Sequence, residues 1–141
     1  MKIGVSTYSL ARAIRSGEMD VFGVMEWIKE LGAQHVEVVP VGFNLQEDPA
    51  LIEQMVAKAK ELDIEISNYA IGANFVKETE EEFRAEIENV KQQVDIANQL
   101  GVKMMRHDVA SRPVEEGSIK QFEADLPKLV EACQEIADYA A

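Results

Sequence analysis

Arg106, His107 and Asp108 follow one another in the chain, and Arg112 lies four residues further on. Histidine is the side chain whose ordinary pKa lies closest to neutrality. A guanidinium and a carboxylate beside it bias its proton in opposite directions. Such a trio suits proton transfer to and from a polar small molecule, with Arg112 as a further ligand to it. Glu37 is the second residue of this kind. An interior carboxylate needs a partner, so Glu37 either accepts a substrate hydroxyl, acts as a base, or pairs with Arg106 or Lys103. His107 and Glu37 are therefore the catalytic candidates, and Tyr8, Tyr69, Asn74, Arg106, Asp108 and Arg112 the substrate-binding ones. Each also has a structural reading. Arg106 and Asp108 can pair to hold a loop, with His107 an interior hydrogen-bonding residue, and Tyr69 and Asn74 can serve packing and loop capping.

The elements that must position these residues are legible as four strand–helix units. Short strands are predicted at Ile3–Tyr8, Val36–Pro40, Ile64–Ala70 and Val102–Asp108. Asp20 caps the first helix, which carries Val21, Val24, Met25, Ile28 and Leu31 on one face and stops at Gly32. Asp48-Pro49 opens a second helix running to about Leu62. Thr79 and Glu82 form a capping-box signature ahead of Phe83, Ile87, Val90, Val94, Ala97 and Leu100. A fourth helix starts near Ser118, and Pro127 predicts a kink or restart there, with Asp125 as a second cap. A βαβα series implies a parallel sheet that binds ligands at the strand carboxyl ends. Tyr8, Glu37, Asn68, Tyr69 and the segment 106–112 fall at those ends, whereas His35 falls at the opposite, stability end. The closed form of the pattern is an eight-stranded barrel of roughly 250 residues. The 141 residues here amount to one domain, half of such a barrel.

Strand alternation sharpens that picture. Ile3 and Val5, Val36 and Val38, Ile64 and Ile66, and Val102 and Met104 form one apolar set, expected to face helices. The other set, among it Gly4, Ser6, Tyr8, His35, Glu37, Glu65, Ser67, Tyr69, Lys103 and His107, is then a polar lumen. Barrel interiors are ordinarily filled with branched apolar side chains, so a polar lumen points to a site at the top of the sheet.

The formal net charge of −12 argues against binding a phosphate backbone, which takes clustered Lys and Arg. No apolar run approaches the roughly 20 residues of a membrane span, and no leader pattern precedes the first strand, so a cytoplasmic location is expected, with neither nucleic acid nor membrane as partner. Cys133 is the single cysteine, which excludes an intrachain disulfide. There is no GxGxxG or P-loop spacing and no zinc-type His/Cys spacing, and Ser6 and Ser67 have no evident base.

Ile3-Gly4-Val5-Ser6-Thr7-Tyr8-Ser9-Leu10 and Gly32-Ala33-Gln34-His35-Val36-Glu37-Val38-Val39-Pro40 resemble the opening of the sugar phosphate isomerase/epimerase family, the xylose isomerase-like TIM barrels. Asn68–Phe75 and Met104–Val109 are similar to the third and fourth strands of such proteins. The resemblance spans the whole chain but only the first half of the family fold. It implies isomerisation or epimerisation of a sugar by proton or hydride shift, with a divalent Mn2+ or Mg2+ held by later strands. No metal ligand is carried over, so the expected cofactor in this half is none. By analogy, Glu37 and His107 take substrate-contacting roles. The resemblance further implies a small-molecule sugar substrate, and self-association or a complementary C-terminal half as partner. The alternatives are a non-catalytic half-barrel that binds or scaffolds, and a small flavodoxin-like domain, against which the polar strand set counts.

Overall fold

The computed structural model describes residues 1–141. Its strands are β1 (Gly4–Ser6), β2 (His35–Val38), β3 (Glu65–Ile71) and β4 (Met105–His107). Its helices are α1 (Ala11–Ser16), α2 (Val21–Glu30), α3 (Pro49–Glu61), α4 (Glu80–Gln99) and α5 (Ile119–Ala140), with 3-10 turns at Thr7–Leu10 and Val114–Glu116. The four parallel strands form one sheet in the order β1-β2-β3-β4. This is the half-barrel arrangement of consecutive βα units.

The helix starts follow from their caps. The Asp20 carboxylate accepts the Gly23 N–H at 2.8 Å, and Asp48 accepts that of Leu51 ahead of α3, where Pro49 spends no donor. At α4 the capping box is reciprocal: Glu82 N–H donates to Thr79 Oγ1 at 3.2 Å, and Thr79 N–H to Glu82 Oε2 at 3.1 Å. Ser118 caps α5 through the Gln121 N–H. Gly32, with φ +79°, turns the chain out of α2 in the left-handed region that glycine enters freely.

Several expectations are corrected. Tyr8 has left the strand for the 3-10 turn, where it is 63% exposed. α1 is an additional helix: its six residues make fewer than two turns, too few to repeat an apolar face. Ile3, Leu31 and Met104, assigned to buried faces, are exposed. Pro127 lies inside an unbroken α5, with no restart at Asp125. Its missing N–H leaves only the carbonyl of Glu123 unpaired, and both residues are exposed, so water can take the place of the lost bond.

The chain packs as two compact units, residues 1–71 with 95–106, and residues 72–94 with 107–141. In the first, Val24, Met25 and Ile28 of α2, Val36 and Val38 of β2, and Met55 of α3 are fully buried. Buried Thr7 ties the end of β1 to the chain beyond β2: its hydroxyl donates to the Val39 carbonyl and accepts the Val39 N–H, both at 2.9 Å. In the second unit, Phe83, Ile87 and Val90 of α4 and Leu129, Ala132 and Ile136 of α5 form the core. Outside it, Arg84 pairs with Glu131 and Glu135, and Lys91 reaches Glu135 at 2.6 Å. Hydrogen bonding from Lys91 holds the Glu135 carboxyl below its usual range.

Candidate functional site

In the first unit, the sheet register decides which side chains share a face. β2 and β3 pair His35 with Glu65 and Val36 with Ile66, but then Glu37 with Asn68 and Val38 with Tyr69. Ser67 is the extra residue of a bulge, and beyond it the alternation of β3 is inverted. Asn68 thus comes onto the face of Glu37, and its Nδ2 donates to Glu37 Oε1 at 2.8 Å. The partner of Glu37 is this amide rather than Arg106 or Lys103. Both residues are half-buried, and the bond engages one carboxylate oxygen.

The same bulge removes Tyr69 from the lumen set. Tyr69 shares the buried face of Val38 and is 1% exposed, so its expected placement toward a ligand is corrected. Burial pushes its phenol from 10.0 up to about 12. A group whose pKa is raised on folding contributes its full stabilisation below the unfolded value and loses it as pH climbs through the folded one. Between about pH 10 and 12 the wild type is therefore expected to lose roughly 1.4 kcal/mol per pH unit more than Tyr69→Phe. Urea titrations of both proteins across that window check this; parallel stability curves would contradict it.

Toward the amino-terminal end of the sheet, His35 Nδ1 lies 2.8 Å from Ser67 Oγ. Ser67 thus has an imidazole beside it, which its sequence surroundings did not reveal. The hydroxyl also lies 3.3 Å from the Val36 carbonyl, and the two contacts fasten the bulge to β2. Arg106, in the same unit, is exposed.

In the second unit, His107 is half-buried. Its Nδ1 sits 2.9 Å from the Asp108 carbonyl oxygen. A carbonyl only accepts, so in the neutral ring Nδ1 carries the proton and Nε2 keeps its lone pair. The ring also meets Phe75 edge to face, at 5.7 Å between centroids and 84° between planes. The Asp108 side chain is exposed; its backbone, not its carboxylate, orients His107.

Asn74 and Arg112 have structural partners. Asn74 Oδ1 accepts the N–H groups of Val76 and Ser111, its Nδ2 donates to the Ser111 carbonyl, and its backbone N–H donates to Glu86. It fastens the loop after β3 to the loop after β4. Arg112 grips Asp125 with two bonds, Nε to Oδ2 at 2.9 Å and Nη2 to Oδ1 at 2.8 Å. That guanidinium holds the Asp125 carboxyl below its usual range. Asp125 is thereby an anchor for Arg112 instead of a helix cap. Asn68, Thr7 and Glu86 are the polar residues whose parts were not assigned from sequence; Asn68 needed the bulge, and the other two needed tertiary pairing.

The donor set does not fit the divalent metal that the resemblance implies. Nowhere do three or more His, Cys, Asp or Glu side chains converge as a metal ion requires. No helix is long and apolar enough to cross a membrane.

Comparison with known proteins gives a consistent frame. A family model described as xylose isomerase-like TIM barrel matches residues 25–141. No curated protein sequence matches the chain. Among solved structures, the probable 3-DHS dehydratase involved in petrobactin synthesis from Bacillus anthracis superposes with a TM-score of 0.74 at 16% identity, over 99% of this chain and 49% of its own. D-psicose 3-epimerase, solved in the presence of D-fructose, gives 0.71 at 18% identity, over 99% and 48%. The 3-keto-D-glucoside 4-epimerase from E. coli gives 0.63 at 15% identity, over 86% and 47%. The chain spans about half the length of the structures it matches.

Proposed function

This chain belongs to the xylose isomerase-like TIM barrel family, and on that premise we propose that it is the substrate-side half of a sugar isomerase or epimerase. The observation that carries the reading is the Glu37–Asn68 pair, a carboxylate held by an amide late in β2. Asn68 occupies Oε1, so Oε2 is the atom that accepts a sugar hydroxyl or takes a proton from the carbon next to the sugar carbonyl. Protonation from the opposite face, by an acid other than Glu37, epimerises the carbon; return of the proton from Glu37 to the former carbonyl carbon, with a hydroxyl proton moving to oxygen, interconverts ketose and aldose. In the second unit, the Nε2 lone pair of His107 suits acceptance of a hydroxyl proton. No step is assigned to a metal. The names of the epimerase neighbours and the polar character of Glu37 and Asn68 support a polyhydroxylated substrate. A second reading is a half-barrel that binds sugar without turning it over.

Saturation-transfer NMR with D-fructose and D-psicose tests the proposal, using the full chain and its Glu37→Gln and Asn68→Ala variants. Wild-type transfer that drops several-fold in both variants is the expected result. Absence of transfer to either sugar, or transfer unchanged in Glu37→Gln, overturns it. Deuterium uptake at a sugar carbon in heavy water separates the enzyme from the binding module.

A further inference from the structure

Two contacts orient the His107 ring. The Asp108 carbonyl faces Nδ1 at 2.9 Å, and the ring of Phe75 meets it edge to face at 5.7 Å between centroids. Both partners lie in connections, Phe75 beyond the end of β3 and Asp108 just beyond β4. Groups in a connection stay in place only as firmly as their backbone is tied. Within the second unit those ties converge on Asn74.

The Asn74 amide bridges both backbone groups of Ser111: Oδ1 accepts the Ser111 N–H at 3.0 Å, and Nδ2 donates to the Ser111 carbonyl at 3.1 Å. A side-chain amide offers the same donor and acceptor as a peptide group, so the bridge acts as a rung between the two connections. The neighbouring rung is backbone, from the Phe75 N–H to the Val109 carbonyl at 2.9 Å. Oδ1 also accepts the Val76 N–H at 3.1 Å, and the Asn74 N–H donates to Glu86 Oε1 at 3.0 Å. Glu86 is held in turn by Lys77 at 3.3 Å. A reversed amide would set its NH2 against two N–H donors, so the hydrogen-bond pattern assigns the orientation.

Asn74 precedes Phe75 in the chain, and the rungs at Val109 and Ser111 follow Asp108. One residue therefore secures both the wall beside the His107 ring and the segment whose carbonyl faces Nδ1. We propose that Asn74 is a positioning residue for His107, holding its imidazole in the Nδ1–H tautomer. An imidazole in water populates both neutral tautomers, and a partner on one nitrogen decides between them. Only the Nδ1–H form leaves Nε2 able to take a proton. The inference rests on the proton-accepting role assigned to His107 and adds the residue that makes that role available. It draws on neither Glu37 nor a metal.

Long-range 1H–15N correlation of the imidazole rings in the full chain tests it, at the alkaline plateau of the ring shifts. The chain has two histidines, and a His35→Asn spectrum identifies the ring of His107. In the wild type, Nδ1 of His107 is expected in the protonated range and Nε2 in the unprotonated range. In Asn74→Ala the two 15N shifts converge, with a several-fold rise in the Nε2–H form. Asn74→Asp keeps the acceptor for the Val76 and Ser111 N–H groups and loses only the donor, so its ratio stays near that of the wild type. Ser118→Ala removes the cap of α5, a destabilisation in the same unit that touches neither ring contact, and leaves the ratio unchanged. Asn74→Ser, too short to bridge Ser111, carries the same prediction as Asn74→Ala if the alanine variant does not fold. A folded Asn74→Ala or Asn74→Ser with the wild-type ratio, an equal shift in Ser118→Ala, or a wild-type ring in the Nε2–H form overturns the proposal. The readout needs no sugar, so its failure and a failure of sugar binding are read apart.

Discussion

Phe75→Ala is expected to lower the unfolding free energy by about 3–5 kcal/mol, the range for emptying a buried aromatic site. Phe75 is 1% exposed. Its backbone N–H donates to the Val109 carbonyl at 2.9 Å, so the loop after β3 is registered against the segment after β4 where the ring packs. The substitution removes the wall against which the His107 imidazole stands, an edge-to-face contact worth about 0.5–1.5 kcal/mol beyond burial. The His107 ring resonances are therefore expected to move toward those of a solvated imidazole. The chain has two histidines, so a His35→Asn background leaves His107 alone in the spectrum. Denaturant unfolding and the His107 ring chemical shifts are the measurements. Phe75→Leu retains much of the burial but not the ring edge, and keeps the test usable if the alanine variant does not fold. A loss below about 1 kcal/mol on Phe75→Ala would sink the assignment of Phe75 as a core anchor.

The second large effect is expected at Gly4. Gly4 and His35 are partners across β1 and β2, and the imidazole lies over the glycine. A Cβ at position 4 would come within 2.0 Å of His35 Cε1 and 2.2 Å of Nδ1, far inside contact distance. The ring could only swing away by breaking its 2.8 Å bond to Ser67. Gly4→Ala is thus expected to cost about 2–3 kcal/mol, from overpacking plus the lost bond. The clash predicts coupling: Gly4→Ala in a His35→Ala chain costs about 1–2 kcal/mol less than in the wild type. Chemical denaturation of the four proteins of the cycle measures this, and strictly additive losses would show that the ring is not what position 4 meets.

These two cases show what could be read before the fold was known. Helix starts were legible because each depends on a local hydrogen bond between residues three apart, as at Asp20, Thr79 and Ser118. The strand–helix alternation and the half-barrel were legible from period alone. Tyr69 was assigned to the wrong face because an extra residue in β3 inverts alternation, and a bulge is set by cross-strand pairing rather than by its own residue types. Leu31 and Ile3 keep a helical or strand period yet stay exposed, since periodicity marks a face without supplying what covers it. Glu37 and His107 were singled out from residue type and strand position alone. Asn68, which holds Glu37, depended on register. The Asn74 and Arg112 partners are 37 and 13 residues away in sequence, beyond the reach of any local pattern.

The Ser67 bulge has a consequence for how this strand tolerates changes in length. The pairs on either side of it, Val36 with Ile66 and Glu37 with Asn68, are consecutive on β2, so β3 already contains one residue more than the ladder needs. Deleting Ser67 would splice two stretches that are each in correct register. Asn68 would remain opposite Glu37 and Tyr69 opposite Val38, and the losses would be the Ser67 hydroxyl's contacts with His35 and the Val36 carbonyl. A deletion elsewhere in β3 must slide one stretch past its neighbour and turn polar side chains into the core. Genetic drift in the length of this strand is therefore channelled to one position, where an indel is a local event.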